Sequence, residues 1–463
     1  MDYDVLILGG GLVGCAAAYE LSKYSLNIAL IERDYDIADD LSQVNAAMIY
    51  DGSECTDTLM AKLENKGNEI IEQISSQFKV PFKKCGSLVI AQDKKEEEEI
   101  LKTYENSVNR GIKNIYLLDS DEVYKLEQNL NIAVKKAIYS KNTGVICPYD
   151  LAISYAEIAF DNGVNFKLEE EVVDIQKNTK GFKVITNKNK FTCAMVINTT
   201  PVRNYTEEKE VLVNRNITNL NYFLLEKDYK ENFKRIVSTM NTTMDRVYTL
   251  PLAQGNTIVA VNSSKKIDYD KAKVKVSSLV GILDEEDINS FYKAPFYNNR
   301  TIIDDSLIDE GYIKVIGKNY AQVTMAPYIA KIVCETVVSN LKCVLKKDYI
   351  DKRRDFYRFR EMKDEEKNKL IKIDKRYGRI ICTCNMVSEG EIIDAIRRPL
   401  GARTIEGIRR RTGAASGNCQ GAYCFNKITE ILANETNKKM IEIVKDSRNS
   451  KILTSRIKVF NEM

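Results

Sequence analysis

The stretch from Asp2 to Arg33 constrains this chain more than any other part of it. An apolar strand, Tyr3–Leu8, runs into a glycine loop. A helical run, Leu12–Tyr24, follows, and a second apolar strand, Asn27–Ile31, ends at Glu32. Gly9, Gly11 and Gly14 satisfy G-x-G-x-x-G. In a β-α-β unit the first of these glycines permits the tight turn and the second lets a pyrophosphate approach the backbone. The third lets the helix sit close to the strand. The helix start offers N–H groups and the positive end of its dipole to phosphates. Glu32 falls where an acid accepts hydrogen bonds from a ribose. The stretch predicts a dinucleotide site without choosing between NAD and FAD. The competing reading is a tight β-α turn with no ligand.

At 463 residues the chain has room for two or three domains. It contains no histidine, so base, proton-shuttle and metal-ligand roles fall to other residue types or to a cofactor. The net charge is only +3, which gives no nucleic-acid footprint. Basic pairs such as Lys346-Lys347 and Arg353-Arg354 have acids nearby and read as a solvated face. No signal peptide is expected before the first strand, and no apolar run reaches the roughly 18 residues that span a bilayer. The best candidate, Tyr320–Leu341, carries Lys331 and Glu335 and reads as a buried helix. The expectation is a cytoplasmic protein without a transmembrane segment, able to sit on the inner face of a membrane through a partner.

Further along, helices are expected over Asp57–Phe78, Lys94–Arg110, Asp150–Asn162 and Lys271–Leu283. Short strands separated by turn signals follow the third of these, ending with Cys193–Asn198, which Thr199-Thr200-Pro201 stops. Residues 211–310 favour an antiparallel sheet, including Tyr222–Leu225, Val247–Leu250 and Thr257–Val261. Tyr312–Ile316 is an apolar strand ending at Gly317, and Ala326–Leu341 a helix after it. This repeat of the strand–Gly–helix arrangement suggests a nucleotide sheet completed by segments far apart in sequence.

Eleven cysteines, an odd number in a long chain with no leader, argue against a disulfide framework. Four of them cluster as Cys382-Thr-Cys384 and Cys419-Gln-Gly-Ala-Tyr-Cys424. Ser388-x-x-Glu391 between them is a capping box that opens a helix to Arg398, and a second helix is expected over Thr404–Arg411. Four thiolates from two tight loops suit zinc or an iron–sulfur cluster. C-x-C is tighter than the usual zinc spacing, and a redox dinucleotide gives a cluster a use. The reading favours [2Fe–2S], with zinc and chance buried thiols as alternatives.

With both motifs in view, the chain resembles the D-amino-acid-oxidase superfamily of FAD-dependent dehydrogenases. The likeness is closest to its anaerobic glycerol-3-phosphate dehydrogenase and L-2-hydroxyglutarate oxidase-like branches, which carry a C-terminal domain like bacterioferritin-associated ferredoxin. LILGGGLVGCAAAYELS, PFKKCGSLVIA, NTGVICPYDL and RYGRIICTCNMVSEGEIIDAIRRPLGARTIEGIRRRT carry the resemblance, with GNCQGAYC after them. It implies an α/β fold: a Rossmann-like FAD-binding domain, an inserted antiparallel-sheet substrate domain and a small helical iron–sulfur module. The implied boundaries are an oxidoreductase over 1–347, a connector over 348–376, a [2Fe–2S] domain over 377–434 and a tail over 435–463. Within the oxidoreductase, FAD parts are expected near 1–80, 145–205 and 310–345, and cap parts near 81–144 and 206–309.

The resemblance implies that Gly9, Gly11, Gly14 and Glu32 bind the ADP half of FAD. It places Val173 at the adenine through its backbone, and Asn45, Thr199, Thr200 and Gly317 along the flavin or its phosphates. Cys382, Cys384, Cys419 and Cys424 would hold the [2Fe–2S] cluster. The substrate region departs from the family pattern. Tyr50 stands where a histidine is usual, and Ala294-Pro295 where an anion-pairing arginine is expected. Tyr50 is the candidate substrate contact, with packing beside the flavin as its competing role. Arg246 and Arg300 are read as surface residues before anion receptors. The implied activity is oxidation of a small hydroxy or amino compound, with glycerol 3-phosphate going to dihydroxyacetone phosphate as the leading case. Electrons would leave through the cluster to a protein acceptor or a membrane-associated subunit. The alternatives are a dehydrogenase for L-2-hydroxyglutarate or an amino acid or opine, and an electron-transfer subunit with a degenerate pocket.

Overall fold

The computed structural model describes residues 1–38, 48–202, 204–208, 217–226, 229, 233–240, 245–253 and 255–453. Asn45 lies outside the described residues.

Val5–Leu8 and Ile28–Ile31 are buried along their whole length, the pattern of strands covered on both faces. They lie in an eight-stranded sheet with the order Val172–Asn178, Gly181–Thr186, Lys190–Asn198, Tyr3–Leu8, Ile28–Ile31, Asn165–Lys167. Tyr3–Leu8 is parallel to both its neighbours. Tyr312–Ile316 also runs parallel along the C-terminal half of Lys190–Asn198, with Lys314 level with Asn198. Ile302–Leu307 flanks it in antiparallel. Segments three hundred residues apart thus close one sheet, and Leu8, Ile31, Asn198 and Ile316 end at the same edge. The helix Leu12–Ser22 packs against Pro148–Asp161 and Gln322–Leu341.

A second eight-stranded sheet faces this one. Its order is Ile288–Tyr297, Ile217–Leu225, Thr257–Ser263, Asp245–Pro251, Ile236–Thr239, Ser87–Ala91, Lys136–Ser140, Ile115–Asp119. All its pairings are antiparallel except Ile236–Thr239 with Ser87–Ala91. Tyr292, Tyr222, Ala260 and Tyr248 occupy one register row across four strands. Tyr222, Ala260 and Tyr248 belong to the core shared with the dinucleotide sheet, and Tyr292 packs against it. The cap therefore presents a row of tyrosines to the cofactor side.

The C-terminal module has its own small core, including Ile392, Ile396, Ile408, Ile428 and Leu432. Its capping box forms as expected: Ser388 Oγ and Glu391 exchange hydrogen bonds at the start of Glu389–Arg397. Thr404 caps Ile405–Thr412.

Several expectations are corrected. The Lys271–Leu283 helix covers Tyr269–Val280, because Gly281 takes φ +85° and ends it. The Ala326–Leu341 helix starts at Gln322 and carries Pro327 inside it. Residues 435–453, read as part of the tail, pack on the module. Ile443 joins the module's core, and the Val444 and Lys445 carbonyls accept from Ile405 and Glu406. Arg353 is not a solvated residue either. It is 8% exposed and donates to Asp150 at 2.8 Å and to Glu157 at 2.7 Å. Arg358 also pairs with Asp150, and Arg398 of the C-terminal module with Glu157. The segment read as a charged connector is thus a strap. Burial pulls both carboxyl groups up, but the strap's arginines, with Arg398 at Glu157, hold them below their ordinary values.

Candidate active site

The glycine loop is built around close backbone approach. Gly9 has φ +101°, a conformation open to glycine and strained for other residues. A Cβ on Gly14 would overlap the Gly9 carbonyl. Gly11 is the N-cap of Leu12–Ser22; no side chain caps that end, and its first turn holds no acid. The helix start therefore keeps donors to offer a phosphate. Glu32 stands over the loop and accepts from Gly10 N at 2.6 Å and Asp34 N at 2.9 Å. Thr199 borders the same turn, donating its hydroxyl to Leu8 O at 2.8 Å, and the Thr200 methyl also adjoins Gly9. Gly9, Gly11, Gly14, Glu32, Thr199 and Thr200 are thus brought together at the carboxyl edge of the sheet, where α/β folds of this kind bind ligands.

Val173 and Gly317 stand differently. The pairing of Val172–Asn178 slips between Val172 and Asp174, which leaves Val173 at a bulge with its side chain 62% exposed. The bulge sets the Val173 backbone out of the regular ladder. Gly317 lies three residues beyond Lys314, past the Thr199–Thr200 turn. Its φ is +101°, and a Cβ there would overlap the Arg300 carbonyl. Glycine is required at that position by the protein's own chain.

Where the dinucleotide sheet meets the cap, side chains converge from four distant segments. Tyr50 is buried, its ring edge-on to Tyr320 at 4.9 Å. Tyr320 stacks on Phe296 at 5.4 Å. Arg246 forms a close ion pair with Glu54, donates to Ser238 at 2.6 Å and lies over the Tyr248 ring at 5.0 Å. This corrects the reading of Arg246 as a surface residue. Arg300 does project outward, paired with Asp57 at 2.7 Å. Burial pushes the Tyr50 phenol well above its ordinary pKa of 10.0, so it stays neutral and cannot serve as a base.

Glu64 is a site residue that the sequence reading missed. It is fully buried, and its Oε1 accepts from the Tyr320 hydroxyl at 3.2 Å. Burial is the main cause that lifts its carboxyl to about 8. A signal was available: in Thr58–Gln77 the buried stripe runs Met60, Ala61, Glu64, Gly67, Asn68, Ile71, and Glu64 is the acid on it.

The four clustered cysteines also converge. Cys384 and Cys419 sulfurs are 3.5 Å apart, and Cys382 and Cys424 form a second, buried pair. The Cys419 thiol is lowered against its burial by Cys384 and by backbone N–H groups of residues 421–423. Burial, with Cys382 beside it, pushes Cys424 up to about 12. Among the described residues no three such donors surround one ion. Two close thiol pairs make a four-sulfur donor set of the kind that holds a [2Fe–2S] cluster or zinc. Asn289 of the cap ties the second loop down, donating to Asn418 Oδ1 at 2.9 Å and accepting from Gln420 at 3.1 Å. A cavity of about 510 Å³ lies at this seam, lined by Tyr222, Tyr292, Cys384 and Arg409 among others.

A dinucleotide cradle under an antiparallel cap, beside four gathered thiols, defines a two-centre redox protein. The chain belongs to the FAD dependent oxidoreductase family, which residues 4–336 match, and residues 380–434 match the BFD-like [2Fe-2S] binding domain. Its cofactors are FAD and a [2Fe–2S] cluster. It is 34% identical to a glycerol 3-phosphate dehydrogenase of Caloramator mitchellensis, across 98% of this chain and 99% of that protein. It is 31% identical to the mitochondrial L-2-hydroxyglutarate dehydrogenase of Dictyostelium discoideum over 40% of this chain and 42% of that one. The structure of dithionite-reduced L-α-glycerophosphate oxidase from Mycoplasma pneumoniae with FAD bound shares the fold. Its TM-score is 0.67 at 21% identity, covering 77% of this chain and 99% of that one. Among the described residues, no helix is long and apolar enough to cross a membrane.

Proposed function

We propose that this FAD-dependent oxidoreductase oxidises glycerol 3-phosphate to dihydroxyacetone phosphate and passes the electrons through its cluster to a partner protein. The single observation that carries this reading is the match to a glycerol 3-phosphate dehydrogenase over essentially the whole of both chains, cysteine module included. Gly9, Gly11, Gly14 and Glu32 would hold the ADP half of FAD, with Thr199 and Thr200 at the phosphates. Val173 would meet the adenine, and Asn45 and Gly317 would complete the cradle. Cys382, Cys384, Cys419 and Cys424 would hold the cluster. Bound FAD supplies a hydride acceptor, and the cluster supplies single-electron transfer. The side chains around Tyr50 orient the substrate and exclude water from the crevice. The seam tied by Asn289 keeps the cysteine loops against the cap, where electrons are delivered.

One observation favours a second reading, an electron-transfer subunit that binds no substrate. Arg246, a cation acting on Tyr50, is already paired with Glu54, so an anionic substrate that binds it must displace an internal carboxylate. Adding glycerol 3-phosphate without oxygen to the protein carrying both cofactors separates the two. Bleaching of the flavin bands followed by loss of the oxidised cluster spectrum is expected. If glycerol 3-phosphate, 2-hydroxy acids and amino acids all fail to bleach a flavin that dithionite still reduces, the second reading stands.

A further inference from the structure

An alcohol oxidation releases two things: a hydride from carbon and a proton from oxygen. Bound FAD would accept the hydride. The proton needs an acceptor, and this chain has no histidine to serve. Tyr50, in the position that drew attention in the sequence, is held neutral by burial.

Glu64 has the properties the task needs. It sits at 0% exposure on the helix Thr58–Gln77. One oxygen accepts from the Tyr320 hydroxyl at 3.2 Å; the other, Oε2, is buried and receives no hydrogen bond. A buried carboxyl oxygen left without a donor costs stability, more so when charged. Such groups concentrate at functional sites. Tyr320 follows the strand end at Ile316, touches Tyr50 and stacks on Phe296 of the cap. Its hydroxyl therefore links the ring cluster of Tyr50 and Phe296 to the carboxyl behind it. The titratable groups facing Glu64 are Asp51, Glu54, Cys55, Tyr50 and Tyr320. Arg246 stands nearby, already paired with Glu54, and Arg110 is spent on the Ser53 and Cys55 carbonyls. The neighbouring carboxylates Asp51 and Glu54 favour keeping a proton on this group.

We infer that Glu64, acting through the Tyr320 hydroxyl, is the proton acceptor for oxidation of a secondary alcohol in this site. The inference rests on the dehydrogenase reading above. The substrate O–H proton passes to the Tyr320 oxygen while the Tyr320 proton passes to Glu64 Oε1. Bound FAD would take the C–H electron pair with its hydrogen, leaving the carbonyl. Glu64 ends protonated and Tyr320 unchanged, so the Glu64 carboxylate must be regenerated before the next turnover. Burial lifts the Glu64 carboxyl to about 8, so the competent carboxylate fills in as pH rises through that value. Glu64 is a positioning residue by this account, since it meets the substrate only through Tyr320.

The experiment uses the full chain with both cofactors bound and compares wild type with Glu64→Gln and Tyr320→Phe. Three readouts are taken: the anaerobic rate of flavin bleaching by glycerol 3-phosphate from pH 6 to 10, the infrared band of protonated carboxyl groups over the same range, and the flavin and cluster absorbance as a check on folding. In wild type the bleaching rate should rise with pH to a plateau above about 8. Loss of a general base typically costs about 10²- to 10⁴-fold. Glu64→Gln should lose about 100-fold at the plateau and the rise with pH. Tyr320→Phe should lose a similar factor. Wild type should also show a carboxyl band that fades near pH 8, missing in Glu64→Gln. Wild-type rates and pH profile in a folded Glu64→Gln would overturn the inference. So would a titrating band that survives the substitution. A wild-type flavin that glycerol 3-phosphate does not bleach would instead sink the dehydrogenase reading, and the infrared titration would still report whether Glu64 holds the proton.

Discussion

The glycine cradle and the side-chain cluster around Tyr50 are built on opposite plans. The cradle is made of backbone atoms and short side chains. Gly9, Gly11 and Gly14 lie within six residues, and Glu32 and Thr199 follow the two strands that flank Tyr3–Leu8. The cluster around Tyr50 is made of long side chains from four separate segments: Tyr50 with Glu54, Glu64, Arg246 with Tyr248, and Tyr320. The first plan tolerates almost no added atom. The second holds charges and phenols whose partners are set by tertiary packing alone. Cofactor binding and substrate chemistry should therefore fail independently.

The cysteine module gives the largest expected effect. Cys384→Ser or Cys419→Ser should remove the visible cluster absorbance and leave the flavin bands in place, because the module docks through other residues. Absorption spectra of protein purified without oxygen check this. Retention of the cluster in all four single cysteine variants would mean that these residues are not its ligands.

The strap comes next. Arg353→Ala would leave Asp150 and Glu157 buried beside each other with less positive charge, and breaking such a network typically costs about 3–5 kcal/mol. Both carboxyl groups are depressed in the folded protein from their ordinary 3.8 and 4.5. Their stabilisation is therefore complete above those values and is lost as pH falls through the folded ones. Urea unfolding should show the full difference between wild type and variant at pH 7, and a shrinking difference below about pH 4. A difference that grows with acid would contradict the assignment.

Gly14→Val tests the cradle itself. Overpacking of this kind costs about 1–3 kcal/mol, because the new side chain must push the Gly9 carbonyl away. Flavin titration of the apoprotein should show FAD bound about 10- to 100-fold more weakly, with the cluster spectrum unaffected. Normal FAD affinity in this variant would erase the contrast between the cradle and the side chains around Tyr50.

These contrasts also explain what could be read from the sequence. The cradle was legible because its determinants are local: three glycines at fixed spacing, a strand on either side and an acid in register. The capping box at Ser388 and Glu391 was legible for the same reason. Gly281 carried a stop signal that the longer helix range ran past. The strap was not legible, since Arg353 looks like any surface arginine until Asp150 and Glu157 arrive from two hundred residues away. Arg246 was misread in the same manner, its partner Glu54 lying on another segment. Glu64 falls between the two cases. Its place on the apolar stripe of Thr58–Gln77 marks it as buried, but only the fold supplies Tyr320.

Tyr50 gives the smallest expected effect, and the one that most sharpens the comparison. It stands where a histidine is usual in the family it resembles, which invites the view that it replaces a base. The structure argues against that exchange. A phenol titrates near 10 even in water, and burial drives this one higher. Its backbone, by contrast, is closely held: the amide donates to Thr324 Oγ1 at 3.1 Å, and the carbonyl accepts from Asn68 at 2.9 Å. With its ring packed edge-on against Tyr320, the residue acts as a wall that keeps the Tyr320 hydroxyl aimed at Glu64. Tyr50→Phe retains the ring and should lower the rate of flavin bleaching by less than about tenfold, the size of one modest hydrogen bond. The pH profile should be unchanged, because no titrating group has been removed. Tyr50→Ala removes the wall and should lose far more, by freeing Tyr320. Equal effects of Phe and Ala would place the role in the hydroxyl, and a pH limb that vanished in Tyr50→Phe would move the proton chemistry from Glu64 to Tyr50.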